Sequence, residues 1–151
     1  MDGNRFVRLA RAEDLAALLA LYDHLNPERP QLAPEAAAGI WASILARDGM
    51  SVFLAETADG IAAACTLITA PNLMRGGRPH AFIENVVCHA AYRRRGHGRA
   101  VLQAALDAAW AQDCYQVMLL TGRKDPDIRA FYAGCGFEPD LKLGYVARCP
   151  A

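Results

Sequence analysis

The chain has 151 residues, of which 54% are hydrophobic and 21% are charged. This length and composition predict a single folded domain over residues 1–151, and they exclude a disordered, collagen-like or coiled-coil chain. The 16 lysines and arginines balance the 16 aspartates and glutamates, so the net charge gives no support to a dedicated nucleic-acid binder.

The cysteines and the N-terminus indicate the compartment. The five cysteines are far apart and form no C-x-x-C pair, which favours free thiols in a reducing compartment over a disulfide framework or a zinc site. The N-terminus lacks the order of a signal peptide, and no apolar stretch approaches the roughly 20 residues that span a bilayer. We therefore expect a cytoplasmic protein that binds neither metal nor membrane.

The first half of the chain predicts a strand, two helices and a β-hairpin. Leucines at helical spacing follow a short alternating strand, and a proline-containing segment ends the first helix. An Asp-Gly turn between two apolar runs is a strong hairpin signal. The predicted elements are a strand at Arg5–Leu9, helices at Ala12–Tyr22 and about Pro34–Ala46, and strands at Ser51–Glu56 and Ile61–Thr69.

The second half predicts three further strands and two helices. A polar loop, Pro71–Pro79, precedes a strand with two polar residues set into an apolar run. The predicted elements are strands at Ala81–Cys88, Tyr115–Thr121 and Leu141–Cys149, a helix at about Arg99–Gln112, and a short helix that Asp125 and Pro126 begin. The order of elements predicts an α/β domain with a mixed sheet.

The most informative motif is Arg93-x-x-Gly96-x-Gly98, which lies between a strand and a helix. A helix N-terminus offers unpaired N–H groups and partial positive charge, and glycines let an anion approach the backbone. The segment is not a Walker A loop, and Val101 stands where a dinucleotide fingerprint needs its third glycine. A tight strand-to-helix connection with solvated arginines is the alternative interpretation.

Together with Glu84 in the preceding strand and a later Phe131-Tyr132-x-x-x-Gly136-Phe137 segment, the motif resembles the GNAT superfamily of acyl-CoA-dependent N-acyltransferases. The resemblance covers nearly the whole chain, and residues 114–119 are most similar to the glucosamine-phosphate acetyltransferase branch. His97 departs from the family pattern, in which this position is usually apolar. The resemblance implies a mixed sheet of about six or seven strands flanked by about four helices, with acetyl-CoA as cosubstrate.

The resemblance also implies a set of cofactor-binding residues. Backbone amides between Arg94 and Arg99 would hold the CoA pyrophosphate, and the main chain of residues 86–88 would pair with the pantetheine arm like an added strand. That pairing requires an exposed strand edge, which the family supplies where two neighbouring strands splay apart. The expected residues are Val86, Val87, Cys88, Arg93, Arg94, Arg95, Gly96, His97, Gly98 and Arg99.

Two catalytic residues follow from the same resemblance. Glu84 stands where many members place a base, and Tyr132 stands where the acid that protonates the departing thiolate is usual. Burial strengthens a carboxylate as a proton acceptor, and Glu84 lies in an apolar strand. Alternatively, Glu84 forms a structural ion pair, and Tyr132 is a packed helix aromatic. Because strand side chains alternate, Asn85 is expected on the opposite face from Glu84.

The predicted function is transfer of an acetyl group from acetyl-CoA to a primary amine by direct attack in a ternary complex. The small-molecule acceptor stays open, with an amino sugar phosphate among the candidates, and the loop Pro27–Pro34 is a candidate for specificity. Homodimers are common in the family. The alternatives are a non-catalytic acyl-CoA sensor, a protein N-acetyltransferase, and an RNA-binding module that uses the basic residues around Arg94.

Overall fold

Five strands and four α-helices make up the fold in the computed structural model of the protein, which describes residues 6–151. Arg5, the first residue of the predicted first strand, therefore lies outside the described residues. The strands are β1 (Phe6–Leu9), β2 (Met50–Thr57), β3 (Gly60–Ala70), β4 (His80–Cys88) and β5 (Val117–Leu119). The helices are α1 (Leu15–Tyr22), α2 (Pro34–Ala46), α3 (His97–Ala111) and α4 (Pro126–Gly134).

The sheet is mixed, and its strands follow chain order from β1 to β5. The first four strands pair antiparallel, whereas β5 pairs parallel with β4. The predicted hairpin joins β2 to β3, and Thr57 Oγ1 accepts a hydrogen bond from the Asp59 N–H at 3.2 Å in its turn. The α/β class and the mixed sheet are therefore confirmed.

Helices cover both faces of this sheet. On one face α1 and α2 bury a cluster with strand residues, and the Trp41 indole of α2 donates to the carbonyls of Arg11 and Ala12 at 3.2 Å. On the other face α3 buries the apolar stripe that its spacing predicted. The first cluster comprises Leu18, Leu21, Trp41, Val52, Leu54, Ala64 and Val87. The α3 stripe comprises Val101, Leu102, Ala105, Leu106 and Ala109.

The number of strands differs from the prediction. Within residues 6–151 the sheet has five strands rather than six or seven, and the expected strand at Leu141–Cys149 does not form. Its large apolar side chains, such as Leu143 and Tyr145, are exposed. A strand is stabilised by backbone pairing and by burial of one face, and no described strand pairs with this segment. Apolar residues at alternate positions are therefore not sufficient to form a strand.

The boundaries of one helix and one further strand also differ from the prediction. Helix α3 begins at His97 rather than near Arg99, so Gly98 lies inside its first turn. Strand β5 is confined to the three residues that pair with β4. The chain divides into two compact units, one ending at Leu119 and one comprising Leu120–Ala151. The sheet and helices α1–α3 belong to the first unit, and α4 belongs to the second.

Membrane and metal features were also sought among residues 6–151. No helix there combines the length and apolar character that crossing a bilayer requires. Over the same residues, no three His, Cys, Asp or Glu side chains gather closely enough to hold a metal ion.

Candidate active site

Strand β4 carries a stretch of edge that β5 does not pair with. The pairing with β5 covers only Ala81–Ile83, although β4 continues to Cys88. The other edge of β4 pairs with β3, which contributes Ala64 opposite Val87 and Ala63 opposite Cys88. Strand β5 therefore leaves the main chain of residues 84–88 without a β5 partner, and a strand edge of this kind can pair with an extended ligand.

The turn that follows β4 bends back to place the α3 N-terminus beside this part of the chain. Arg94 and Gly96 both adopt left-handed conformations, with φ of 61° and 84°. Gly96 is the N-cap of α3, and the 15-residue helix begins at the next residue. A helix N-terminus has N–H groups without a partner inside the helix, together with a partial positive charge, and these are the anion-binding feature that the motif predicted.

The arginines in and next to the turn differ in their contacts. Arg93 Nε donates to the Cys88 carbonyl and Arg93 Nη2 to the His24 carbonyl, both at 3.4 Å, which ties the turn to the end of α1. The Arg95 guanidinium lies 5.7 Å from the centre of the Tyr92 ring. The side chains of Arg94, Arg95 and Arg99 are exposed. Their charges therefore surround the α3 N-terminus and favour an anion there.

Cys88, at the end of β4, lies beside the first turn of α3. Burial raises the pKa of the Cys88 thiol, while the Arg93 charge and the main chain of Gly98 act in the opposite direction. The next residue, His89, uses Nδ1 to accept from the Ala91 N–H at 3.1 Å. The Cys88 thiol itself donates to the His89 carbonyl at 3.7 Å, so the two side chains are engaged by the backbone and do not pair as nucleophile and base.

A β-bulge interrupts β4 next to Glu84. Thr66 pairs with Glu84 and Ala64 pairs with Val87, so two β4 residues oppose one β3 residue between these pairs. Asn85, inside the bulge, has a left-handed φ of 52°. Because Thr66 and Ala64 share a face of the sheet, the extra residue places Glu84 on the face of Val87, which α1 and α2 cover. Glu84 lies where this cover ends, and its side chain is exposed.

Two expectations for this region were wrong. Glu84 is exposed rather than buried in the strand. Asn85 adopts a positive φ inside the bulge, so the regular alternation that would place it on the opposite face from Glu84 does not apply. The sequence pattern implied simple alternation, and the bulge breaks it.

Arg75, Arg78 and His80 are the partners with which Glu84 could form a structural ion pair, and all three have other contacts. Arg78 Nε lies 3.1 Å from Asp113 Oδ1, and the Arg75 guanidinium lies 5.6 Å from the centre of the Tyr115 ring. The ring of His80 packs edge-on against Phe82 at 5.6 Å. These contacts lie near the start of β4, whereas Glu84 follows four residues later, about 13 Å along the strand. Each of the three side chains therefore has a contact that does not involve Glu84.

The surroundings of Tyr22 and Thr66 were not predicted from sequence. Tyr22 ends α1, and burial raises the pKa of its phenol, while the neighbouring side chains of Thr66 and Asn85 act in the opposite direction. Thr66 is only 3% exposed. The sequence placed Tyr22 on an apolar helix stripe, and no local pattern indicates which polar side chains of the sheet lie near it.

Tyr132 lies in the second unit, in the last turns of α4. The helix begins at Pro126 with Asp125 as N-cap, as the sequence predicted. The Tyr132 ring is half-buried and packs against Phe131 at 5.1 Å and against Phe137 at 6.1 Å. Its carbonyl accepts from the Phe137 N–H at 3.1 Å, which closes the end of the helix. These contacts hold the ring firmly within this unit.

Comparison with known proteins agrees with this arrangement. The sequence model described as the Acetyltransferase (GNAT) family matches residues 18–137. The chain is 32% identical over 134 residues to a glucosamine 6-phosphate N-acetyltransferase of Trypanosoma brucei brucei, covering 87% of this chain and 88% of the relative. It is 30% identical over 150 residues to glucosamine 6-phosphate N-acetyltransferase 1 of Oryza sativa subsp. japonica, covering 95% and 88%.

A solved structure shows the same similarity in three dimensions. A putative acetyltransferase from Agrobacterium tumefaciens superposes with a TM-score of 0.91 at 45% sequence identity, covering 95% of this chain and 99% of that chain. The splayed β4 edge, the glycine-containing turn and the family match together agree with an acyl-CoA-dependent acetyltransferase. The chain belongs to the acetyltransferase (GNAT) family.

Proposed function

We propose that this enzyme transfers the acetyl group of acetyl-CoA to the primary amine of an amino sugar phosphate. The observation that carries the proposal is the combination of an unpaired β4 edge, beyond Ile83, with the α3 N-terminus that begins at His97. One feature suits an extended amide-containing arm and the other suits a diphosphate, and in CoA these two groups are joined to each other. Acetyl-CoA is also the cosubstrate that the family resemblance implies.

In this proposal the pantetheine arm pairs with the main chain of Val86, Val87 and Cys88. Peptide-like pairing at a free strand edge supplies hydrogen bonds without requiring particular side chains. The pyrophosphate binds backbone N–H groups of the turn and of the first turn of α3. The residues assigned to it are Arg93, Arg94, Arg95, Gly96, His97, Gly98 and Arg99.

The chemistry requires the amine to lose protons and the departing thiolate to gain one. An aliphatic amine is mostly protonated at neutral pH and has then no lone pair with which to attack a thioester. Glu84 is assigned as the base that takes this proton, and its exposed carboxylate suits transfer directly or through water. The amine nitrogen then bonds to the carbonyl carbon in the ternary complex, and the carbon–sulfur bond breaks.

The departing thiolate is assigned a proton from Tyr132. A free thiol has a pKa of about 8.5 and a phenol has one of about 10. Because the two pKa values are close, a phenol can donate a proton to a thiolate. The attacking nitrogen loses its second proton once it has bonded to the carbonyl carbon, and a proton passed on in this way through solvent restores the phenol. No acyl-enzyme is needed, because the thioester is already activated.

The acceptor is assigned from the relatives. Two of them, 30–32% identical over most of their lengths, are named as glucosamine 6-phosphate N-acetyltransferases. Arg75 and Arg78 do not supply the phosphate site in this proposal, because Tyr115 and Asp113 already engage them. The segment between α1 and α2, which follows Tyr22, is assigned to the acceptor.

The test is release of free thiol from acetyl-CoA in the presence of matched acceptors. Glucosamine 6-phosphate is expected to support turnover, glucosamine to support much less, and glucose 6-phosphate, which lacks the amine, to inhibit without being acetylated. Product mass should increase by one acetyl group. Turnover only with lysine-containing or N-terminal peptides would overturn the acceptor in favour of a protein. Binding of acetyl-CoA without turnover on any amine would instead indicate a sensor.

A further inference from the structure

Four aromatic rings lie in a row from the end of α1 to the start of α3. The ring of His24, two residues after α1, has its centre 4.1 Å from that of His89, and the His89 ring lies 5.2 Å from the Tyr92 ring. Tyr92 in turn meets His97, the first residue of α3, edge-on at 6.0 Å. This ring row therefore connects α1 to both ends of the turn that follows β4.

His24 also holds this turn through hydrogen bonds. Its Nδ1 accepts from the Ala90 N–H at 3.3 Å, and its carbonyl accepts from Arg93 Nη2 at 3.4 Å. Arg93 donates as well to the carbonyl of Cys88, at the end of β4. Through these bonds and the ring contact, His24 meets His89, Ala90 and Arg93, all of which lie between β4 and the N-cap of α3.

The contacts require neutral imidazoles. A backbone N–H can only donate, so Nδ1 of His24 must carry a lone pair, and the same holds for Nδ1 of His89, which accepts from the Ala91 N–H at 3.1 Å. A proton added to either Nδ1 would place a donor against a donor. The added charge would also lie close to the Arg93 guanidinium, which bonds the His24 carbonyl. Protonation therefore removes the attachment.

The groups around the two rings do not offset such a charge. Asp23 supplies a carboxylate next to His24 in the chain, but it lies 3.0 Å from Arg29 Nε. Within residues 6–151 no carboxylate forms an ion pair with His24 or His89. The other titratable and charged side chains near the pair are Cys88 of β4, Tyr92, Arg93 and Arg95 of the turn, and His97 of α3.

We propose that His24 is a positioning residue for the coenzyme: with its imidazole neutral, it holds the turn after β4 in the form that presents the α3 N-terminus to the CoA diphosphate. This inference rests on the proposed function, which assigns that turn to CoA. His24 does not touch the diphosphate and acts through Ala90, Arg93 and the His89 ring. A free imidazole takes up a proton at about pH 6.5. The attachment is therefore complete above this range and is lost as the pH falls through it.

The test is the affinity for CoA, measured by isothermal titration at about pH 8 and about pH 5.5, on either side of the range in which imidazole titrates. His24→Asn keeps an acceptor near the position of Nδ1 but takes up no proton. At the higher pH it should bind CoA within about twofold of wild type, whereas His24→Leu, which has no acceptor, should bind about fivefold more weakly. The loss should appear in KM for acetyl-CoA and not in kcat.

Lowering the pH should separate wild type from His24→Asn. A CoA phosphate also titrates in this range, and comparing two proteins with the same ligand cancels its contribution. Wild type should lose about fivefold more affinity than His24→Asn between the two pH values. His80→Asn is the matched control, because His80 packs against Phe82 at the start of β4, outside the ring row, and this variant should follow wild type. Thermal unfolding shows whether each variant is folded.

The outcomes separate the two proposals. If wild type binds no CoA at either pH, the proposed function fails and the inference fails with it. If wild type binds CoA, equal affinities of folded His24→Leu and wild type at the higher pH would overturn the positioning role alone. The same loss of affinity in wild type and His24→Asn on acidification would also overturn the inference and leave the proposed function standing.

Discussion

The main chain of Gly98, in the first turn of α3, lies beside the Cys88 thiol at the end of β4 and counteracts the burial that raises the pKa of that thiol. This contact joins the first turn of α3 to the end of the β4 edge, so the two parts of the proposed CoA site are connected directly. A substitution at Gly98 therefore tests both the anion-binding turn and its position beside the strand.

Replacing Gly98 with valine should weaken CoA binding by at least about tenfold, because a branched side chain in the first turn of α3 hinders close approach of a diphosphate. Isothermal titration with CoA measures the affinity. Gly39→Val is the matched control: Gly39 is exposed in α2, and an added Cβ there meets no atom within 4 Å. If Gly98→Val binds CoA as tightly as the Gly39→Val control, the pyrophosphate does not lie where we propose.

Replacing Tyr132 with phenylalanine should lower kcat by about a hundredfold, because the thiolate then leaves without a proton donor. KM for acetyl-CoA should change little, since the ring contacts with Phe131 and Phe137 are kept. The thiol-release assay gives both constants, and Tyr145→Phe controls for loss of a phenol in the same unit. Turnover close to that of the wild type would show that Tyr132 only packs in its helix.

The ion pair at the start of the fold should make stability depend on acid pH. Arg8 donates two hydrogen bonds to the Asp14 carboxylate, at 2.8 and 2.9 Å, and the Arg11 N–H donates a third at 2.7 Å. The hydrogen bonds from Arg8 hold the pKa of Asp14 below its ordinary value of 3.8. This stabilisation is complete above the ordinary pKa and is lost as the pH falls through the lowered one.

Asp14→Asn should therefore lower the free energy of unfolding by about 2 kcal/mol at pH 7, and its difference from wild type should shrink as the pH falls below about 4. Urea unfolding at several pH values measures this. Asp48→Asn, at an exposed carboxylate, should be nearly neutral throughout. A difference between Asp14→Asn and wild type that stayed constant down to pH 3 would contradict the assigned cause.

Gly49 should not tolerate a side chain. Its φ is +78°, and a Cβ there would lie 2.5 Å from the Thr69 carbonyl oxygen, which backbone pairing holds in place. Gly49→Ala is expected to destabilise the protein by about 2 kcal/mol or more. Gly39→Ala, in the exposed part of α2, is expected to stabilise by roughly 0.5 kcal/mol. Equal unfolding midpoints for the two variants would refute the clash.

The sequence predicted those parts of the fold that depend on local patterns. The Asp59-Gly60 turn, the apolar stripe of α3 and the Asp125-Pro126 start of α4 are each set by residues next to one another in the chain, and all three are confirmed. The strand expected at Leu141–Cys149 depended on a partner that a local pattern cannot supply. Its absence from the five-stranded sheet shows the limit of alternation as evidence.

The candidate site also contains some features that the local sequence predicts and others that it does not. The anion-binding turn could be predicted, because Gly96 and Gly98 precede a helical pattern. The bulge at Asn85 could not, because a single asparagine in an apolar strand does not indicate a positive φ. The same bulge determines which face Glu84 occupies, and it is defined by the pairing of β4 with a different strand, β3. Long-range contacts of this kind become visible only in three dimensions.

A crystal structure of the enzyme grown with excess CoA tests the placement of the cosubstrate most directly. We expect the diphosphate on the N–H groups at the start of α3, and the pantetheine arm alongside Val86–Cys88 with its thiol directed toward the bulge. A structure in which CoA binds elsewhere, or in which the β4 edge and the Gly96–Gly98 turn are filled by the protein's own chain, would contradict the proposed site.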